Sequence, residues 1–264
     1  MGTDQKTRMD IINKIPEECI SKIISFTSPR DVCRSSLVHS VFRAAADSDA
    51  VWEKILPSDC RDIISQSSSP HLYSLPKKTL FFHLCDHPVL MANDNISFSL
   101  DKHTGKKCYM VGAKGLSISW GDSPEYWQWT SILESRFPLV AKLICVWWLE
   151  VKGRIETKLL SSNTTYGVFF VFKFWRIHIA FHRPVELTVN FEGRVCESSK
   201  KVILDPPTNE PQSRMDGWME VEMGEFFNGN GDDGSVMCRL FDYDGYIKRG
   251  LVVEGIEFRP KCSG

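Results

Sequence analysis

Apolar residues change their spacing once along this chain, and that change confines it to a fold in two differently built parts. Up to about residue 86 they recur at three- and four-residue intervals, the period of a helix; from Ile96 onward they alternate every second residue, as on a strand. The helical part is densest over residues 15–56 and reads as three short helices. Pro16 suits a first helical position, where its missing N–H costs nothing, and Glu17 and Glu18 complement the helix dipole. Cys19, Ile20, Ile23 and Ile24 follow on one face. Ser28-Pro29-Arg30-Asp31 carries cap, first-turn proline and an acid three residues after the cap, and opens a second helix through Val32, Cys33, Leu37, Val38, Phe42 and Ala45. Asp47-Ser48-Asp49 offers a third cap, ahead of Val51, Trp52, Ile55 and Leu56.

Three helices this short cannot hide that many apolar side chains among themselves. Units of ~40 residues are marginal without a metal, a disulfide or a partner, and the segment supplies neither metal ligands nor paired cysteines. The apolar excess therefore docks either on the rest of the chain or on another protein. The order Ile15-Pro16-x-Glu18, Ile23-Ile24, Asp31-Val32, Leu37-Val38, Phe42, Trp52 resembles the F-box motif over its whole length, with Phe42 where that family often has Trp. The resemblance implies a docking module for a Skp-type adaptor, and through it a cullin, in a Skp–cullin–F-box ubiquitin ligase. It assigns the adaptor face to Ile15, Pro16, Ile20, Ile23, Ile24, Leu37 and Val38, and it makes the remainder of the chain a substrate receptor.

The 264 residues suffice for one large or two modest domains, and 32 basic against 33 acidic side chains point to neither nucleic acid nor an anionic membrane surface as partner. No run approaches the ~20 apolar residues that a membrane helix needs. Nine cysteines stand singly, without a C-x-x-C, after a polar N-terminus. Free, mostly buried thiols in a reducing compartment, the cytoplasm or nucleus, are expected.

Residues 1–14 read as a loose tail, 15–59 as the helical module, 60–93 as a linker with one helix over 77–86, and 94–262 as a β-domain. Within the last, Ile96–Leu100, Cys108–Val111, Ser117–Trp120, Leu143–Leu159 (broken at Gly153), Val168–Phe172, Leu187–Phe191, Trp218–Met223, Val236–Phe241 and Leu251–Phe258 carry strand signals. Val168–Phe172 is apolar on both faces, as a central strand of a sandwich would be. In Trp218–Met223, Met219, Val221 and Met223 are expected inward, and Glu220 and Glu222 in water. The fold class expected is α+β: a three-helix module followed by an antiparallel β-sandwich.

Catalytic patterns are weak. Gly229-x-Gly231-x-x-Gly234 fits a dinucleotide fingerprint literally, but it opens no helix and contains Asp232 and Asp233, so a hairpin loop is expected. His83 and His87 have zinc spacing but no third ligand, and His178 and His182 would lie ~13 Å apart on a strand. Asp242 and Asp244 fall side by side, whereas glycoside cleavage needs carboxylates on opposite sides of the bond. A non-catalytic receptor without metal or cofactor is expected.

Trp120-Gly121-Asp122-Ser123-Pro124-Glu125-Tyr126-Trp127-Gln128-Trp129 sets three Trp and one Tyr around a Pro-centred turn. Some of these rings should reach solvent, where an aromatic face stacks on the C–H groups of a sugar. Together with Leu116–Ser119, Ile155-Glu156-Thr157-Lys158, Val171-Phe172-Lys173, Asp216-Gly217-Trp218-Met219-Glu220-Val221, Gly224-Glu225-Phe226-Phe227 and Gly255-Ile256-Glu257-Phe258-Arg259-Pro260, this stretch resembles the phloem-protein-2 domain of plant lectins over residues 94–260. Combined with the F-box, the resemblance is to the F-box phloem-protein-2 group, the PP2-B-like proteins. It implies a jelly-roll-like lectin sandwich that takes N-acetylglucosamine oligomers or related glycans. It places the family's two binding tryptophans on Trp120 and Trp127 and its two acidic partners on Asp242 and Ser235, a serine where the family has a charge. The resulting expectation is a ligase receptor for a glycan or glycoprotein; the alternative keeps the ligase role and makes the sandwich a platform for a protein substrate, its sugar site decayed.

Overall fold

The computed structural model describes residues 15–91, 93–193, 199–206, 212–231 and 234–261, so the tail expected over 1–14 lies outside the described residues. The chain forms two compact units, Met1–Val89 with Ser99–Lys106, and Leu90–Phe98 with Lys107–Gly264.

Helices make up the first unit: α1 (Glu17–Ile24), α2 (Pro29–Ser35), α3 (Ser40–Asp47), α4 (Asp49–Ile55), α5 (Cys60–Ser65) and α6 (Lys77–Asp86). Pro16 sits one position earlier than expected, as the N-cap of α1, where its carbonyl accepts the Cys19 N–H at 3.0 Å. Ser28 caps α2 reciprocally: its hydroxyl accepts the Asp31 N–H at 3.2 Å and donates to the Asp31 carboxylate at 2.8 Å. The expected second helix is in fact two. Leu37 and Val38 bond back only three residues, to Arg34 and Ser35, and His39 Nδ1 then accepts the Val41 N–H at 3.3 Å and caps a new helix. That break leaves Leu37 79% exposed, with Val38 similarly bare.

Residues 60–86 are more than a linker with one helix, since α5 and α6 both contribute to the core. Ile20, Ile24, Val32, Ala45, Val51, Trp52, Ile64, Leu80, Phe81 and Leu84 are buried. The Trp52 ring lies 5.0 Å from Phe81 and 5.3 Å from Phe82, and its Nε1 donates to the Ala46 carbonyl at 2.7 Å. Burying such a ring with its N–H satisfied is what anchors helices too short to be stable alone.

Two β-sheets face each other in the second unit. The strands are β1 (Val89–Met91), β2 (Ile96–Leu100), β3 (Lys107–Gly112), β4 (Ser117–Ile118), β5 (Trp127–Thr130), β6 (Val140–Leu143), β7 (Leu149–Glu156), β8 (Thr164–Ile179), β9 (Pro184–Phe191), β10 (Lys200–Ile203), β11 (Gln212–Ser213), β12 (Met219–Asn228), β13 (Ser235–Asp242) and β14 (Arg249–Pro260). One sheet orders β1-β2-β3-β14-β8-β12-β11, with β6 also on β14 and β5 on β6; the other orders β10-β9-β13-β7-β4. The pairings of β14 with β3, β6 and β8, and of β13 with β7 and β9, are antiparallel.

Phe170 and Phe172 of β8 stack at 5.6 Å, and Ile256 beside Phe170 reaches across to the second sheet at Gly153. Gly153 is not a break. It sits inside β7, where a Cβ would meet the Ile256 methyl at 2.8 Å, so the missing side chain lets the sheets approach. The run from Leu143 is instead interrupted over residues 144–148, between β6 and β7. The other face of β8 and β14 is buried too: Met110, Phe137, Val140, Val171, Trp218 and Val252 form a second apolar cluster. This double burial explains a strand that is apolar on both faces.

A buried ionic network borders that cluster. Glu257 takes Arg136 at 2.6 Å and Arg214 at 2.7 Å, while Glu220 takes Arg214 at 3.0 Å and Arg259 at 2.7 Å. Glu220, expected in water, is therefore buried by its guanidinium partners. Burial by itself would raise the Glu257 carboxyl, but Arg136, Arg214 and Arg259 together hold it at about 2. Glu254 is buried as well; its Oε1 accepts the Arg136 N–H at 2.8 Å, Oε2 has no hydrogen-bond partner among the described residues, and desolvation pushes this carboxyl upward.

The glycine-rich loop at 229–234 links β12 and β13, which belong to different sheets, so it arches across the sandwich and does not close a hairpin. Thr157 Oγ1 pins it by donating to the Gly231 and Gly234 carbonyls, both at 3.0 Å; Asp232 and Asp233 lie outside the described residues.

Candidate functional site

The turn at Trp120–Tyr126 is built by the tryptophans that follow it. β5 pairs with β6 in the register Trp127↔Leu143, which turns Trp127 inward. Its Nε1 donates to the Ser119 carbonyl at 3.1 Å, and Trp129 Nε1 donates to the Gly121 carbonyl at 2.9 Å. These two bonds grip the main chain on either side of Trp120 and hold it in the left-handed region, at φ +57°. Trp120 is thereby presented to solvent at 45% exposure, whereas Trp127 is only 2% exposed. Of the two expected binding tryptophans, one is displayed and the other is scaffold.

Trp120 has neighbours that the sequence reading did not single out. Its ring lies 5.8 Å from Tyr126 and 6.5 Å from Trp148. Trp120, Tyr126, Val146, Trp147 and Trp148 line an open groove of ≈ 270 Å³, below the ~300 Å³ of typical small-molecule pockets, so it offers a stacking surface and not an enclosure. The Trp147-Trp148 dipeptide was the available signal: of two adjacent tryptophans in an extended run, one must face away from the core. The loop carrying them is tied at both ends. Ile144 N–H donates to the Tyr126 carbonyl at 2.8 Å, and Val146 exchanges N–H bonds with Lys248 at 3.1 and 2.8 Å.

Beneath that loop lies a buried lysine. Lys248 has no exposed surface, and its Nζ donates to the Trp147 carbonyl at 2.9 Å, the Tyr246 carbonyl at 3.1 Å and Asp244 at 2.6 Å. Asp242 completes the set at 3.2 Å, and its Oδ1 accepts the Asp244 N–H at 2.9 Å. The Asp242 carboxylate, expected to face a ligand, is thus buried and turned to Lys248. Burial pushes Asp242 upward; at Asp244 burial also raises the carboxyl, but Lys248 and the Tyr246 N–H together hold it below its ordinary value.

Ser235 does not belong to this site. It opens β13 opposite Glu156, while Asp242 closes the same strand opposite Leu149, so ~23 Å of extended chain separates them. The acid nearer the aromatic turn is Glu150. Ser119, the residue before Trp120, donates its hydroxyl to Glu150 at 3.3 Å; Tyr243 OH donates at 2.6 Å, Arg239 Nε at 2.6 Å and Lys152 pairs at 2.9 Å. Burial would raise Glu150, but Tyr243, Lys152 and Arg239 hold it down to about 2, a carboxylate that stays ionised and already neutralised.

Other arrangements are structural. His83 of α6 and His87, the residue that caps its C-terminus, stack at 4.9 Å, and His178 Nε2 lies within hydrogen-bond distance of Asp205 at 2.9 Å. Among the described residues there is no cluster of three or more His, Cys, Asp or Glu fit for a metal, and no helix is long and apolar enough to cross a membrane. On the helical unit, Ile20 and Ile24 are core, whereas Ile15, Pro16, Ile23, Phe26, Leu37 and Val38 are exposed. Phe26 is an apolar exposed residue that the sequence reading did not include.

Comparison with known proteins agrees with this division. Residues 12–58 match the F-box-like family and residues 106–260 the Phloem protein 2 family. F-box protein PP2-B10 of Arabidopsis thaliana is 42% identical over 275 residues, covering 97% of this chain and 96% of that protein. F-box protein PP2-B15 of the same plant is 38% identical over 279 residues, covering 94% of this chain and 96% of that protein. A family 35 carbohydrate binding module from Clostridium thermocellum aligns at 12% identity and a TM-score of 0.35, over 57% of this chain and 96% of that one. With its phloem protein 2 domain matched over most of the β-unit and an F-box ahead of it, the chain belongs to the F-box phloem protein 2 family, alongside the PP2-B proteins.

Proposed function

We propose that this protein is a substrate receptor of a Skp–cullin–F-box ubiquitin ligase, acting in the cytoplasm or nucleus, whose β-sandwich takes a glycan or glycoprotein of the N-acetylglucosamine type. The observation that carries the glycan half is the groove of Trp120, Tyr126, Trp147 and Trp148, where the Tyr126 and Trp148 rings stand 5.8 and 6.5 Å from that of Trp120 at a solvent-facing surface. Exposed aromatic faces take the apolar side of a pyranose ring, and main-chain and hydroxyl groups at the rim take its hydroxyls. The adaptor half rests on the F-box match and on Ile23, Phe26, Leu37 and Val38, large apolar side chains left bare by helices whose cores are already filled.

A second reading, a protein-binding sandwich, draws on the withdrawal of both acidic positions: Asp242 is spent on Lys248 and Ser235 is a distant, buried serine. Titration calorimetry of the full chain with N-acetylglucosamine oligomers separates the two. Saturable binding that Trp148→Ala weakens supports the glycan receptor; no heat with any oligomer, on a chain that still folds, overturns it in favour of the protein platform.

A further inference from the structure

The groove's outer wall has an unusual foundation. Residues 144–148 belong to no strand, and the Trp147–Trp148 segment, being irregular, has few ladder bonds to fix it. Main-chain bonds hold it as far as Val146, and at Trp147 one side chain reaches up from below. Lys248 spends its Nζ on the Trp147 carbonyl and the Tyr246 carbonyl, and is neutralised by Asp242 and Asp244. Its main chain bridges Val146 on both sides. Tyr126, on the opposite wall, reaches the same loop through Ile144.

We propose that Lys248 is the positioning residue of the aromatic groove, and that Asp242 and Asp244 serve a ligand only through it. A buried lysine must find partners for each of its three N–H donors, and a loop carbonyl is among the few acceptors that it has here. The bond to Trp147 therefore sets where that residue's main chain stands, and with it the separation of Trp148 from Trp120. Asp242 closes β13 with its side chain turned inward, so the carboxylate that would be sought on a sugar hydroxyl acts instead on the shape of the wall. This assignment of roles rests on the glycan reading for its ligand, though not for its geometry.

The test uses the full-length chain and two readouts. Trp120 and Trp148, 6.5 Å apart and inclined at 34°, are close enough to give an exciton couplet in far-ultraviolet circular dichroism, assigned by its loss in Trp120→Phe. Affinity for the N-acetylglucosamine trimer is the second readout. Lys248→Met is expected to abolish the couplet and weaken the trimer at least tenfold. Should that variant fail to unfold cooperatively, the charge-free triple variant Asp242→Asn, Asp244→Asn, Lys248→Met replaces it with the same expectation. In Asp242→Asn alone, couplet and affinity move together. A couplet that survives the loss of the Lys248 amine overturns the proposal, as does an Asp242→Asn chain that loses tenfold in affinity with its couplet intact. If the wild-type chain does not bind the trimer but its couplet still depends on Lys248, the positioning role stands and the glycan reading falls.

Discussion

A buried tryptophan and a displayed one have opposite tasks, and truncating Trp127 and Trp148 should show it. Trp127→Ala empties a buried site and removes the donor to the Ser119 carbonyl, so it should cost ~3–5 kcal/mol in urea unfolding, as buried Trp truncations do. Trp148→Ala, from a half-exposed ring, should leave the midpoint within ~0.5 kcal/mol and lower oligomer affinity by ~1–3 kcal/mol. The reverse pattern would place the ligand elsewhere. Ser235→Glu restores a charge in the sequence pattern but inserts it into a buried position at the far end of β13, so a loss of stability with no gain in affinity is expected by calorimetry. These positions also show what was legible in advance. That the aromatic turn mattered could be read from its crowding of rings. Which ring faced out could not, because the register of β5 against β6 and two indole-to-carbonyl bonds decide it. Lys248 left no sequence trace, since a buried lysine and a solvated one are the same letter.

At the level of elements, the proposed adaptor surface divides along the break between α2 and α3. Ile24 fills the core of the helical unit, so Ile24→Asp should unfold that unit, visible as lost helical dichroism. Leu37→Asp should keep the helical signal and the melting temperature and yet fail to retain a Skp-type adaptor in a pull-down. Adaptor captured by Leu37→Asp at wild-type strength would remove this turn from the interface. Helix existence followed from caps and spacing at Ser28, Pro29 and Lys77–Asp86. The split at Leu37–Val38 did not, because three-residue back-bonding and a histidine cap are local choices that apolar periodicity does not encode. In the β-unit, alternation located β8, β9, β13 and β14, and it misplaced Glu220 because arginines from 214 and 259 turn an outward position into a buried one.

For the molecule as a whole, the ionic network sets a direction for acid stability. Glu257 and Glu150 both have folded carboxyls held at about 2, below an ordinary value near 4.5. A carboxyl depressed on folding contributes stability that is complete above its unfolded value and is lost as pH falls toward the folded one. The urea midpoint should therefore drop steadily from about pH 4.5 toward pH 2. Glu254, raised by desolvation, works in the opposite sense and partly offsets this loss. Glu257→Gln should flatten the acid slope and cost ~3–5 kcal/mol at neutral pH, since it leaves Arg136 and Arg214 without their shared anion; an unchanged slope would show the network to be idle. The strand order carries a different consequence, one of timing. β14 lies between β3 and β8, yet Gly255 pairs with Gly112, 143 positions earlier. A ribosome adding ~5–20 residues per second needs about 7–30 s to span that gap. In the later part of that interval, once β8 is complete at Ile179, its apolar flanks lack their central neighbour, a situation in which nascent chains recruit chaperones or aggregate. The sandwich is thus completed late and all at once, and a chain interrupted before Arg249 would present an open, sticky edge and not a smaller domain.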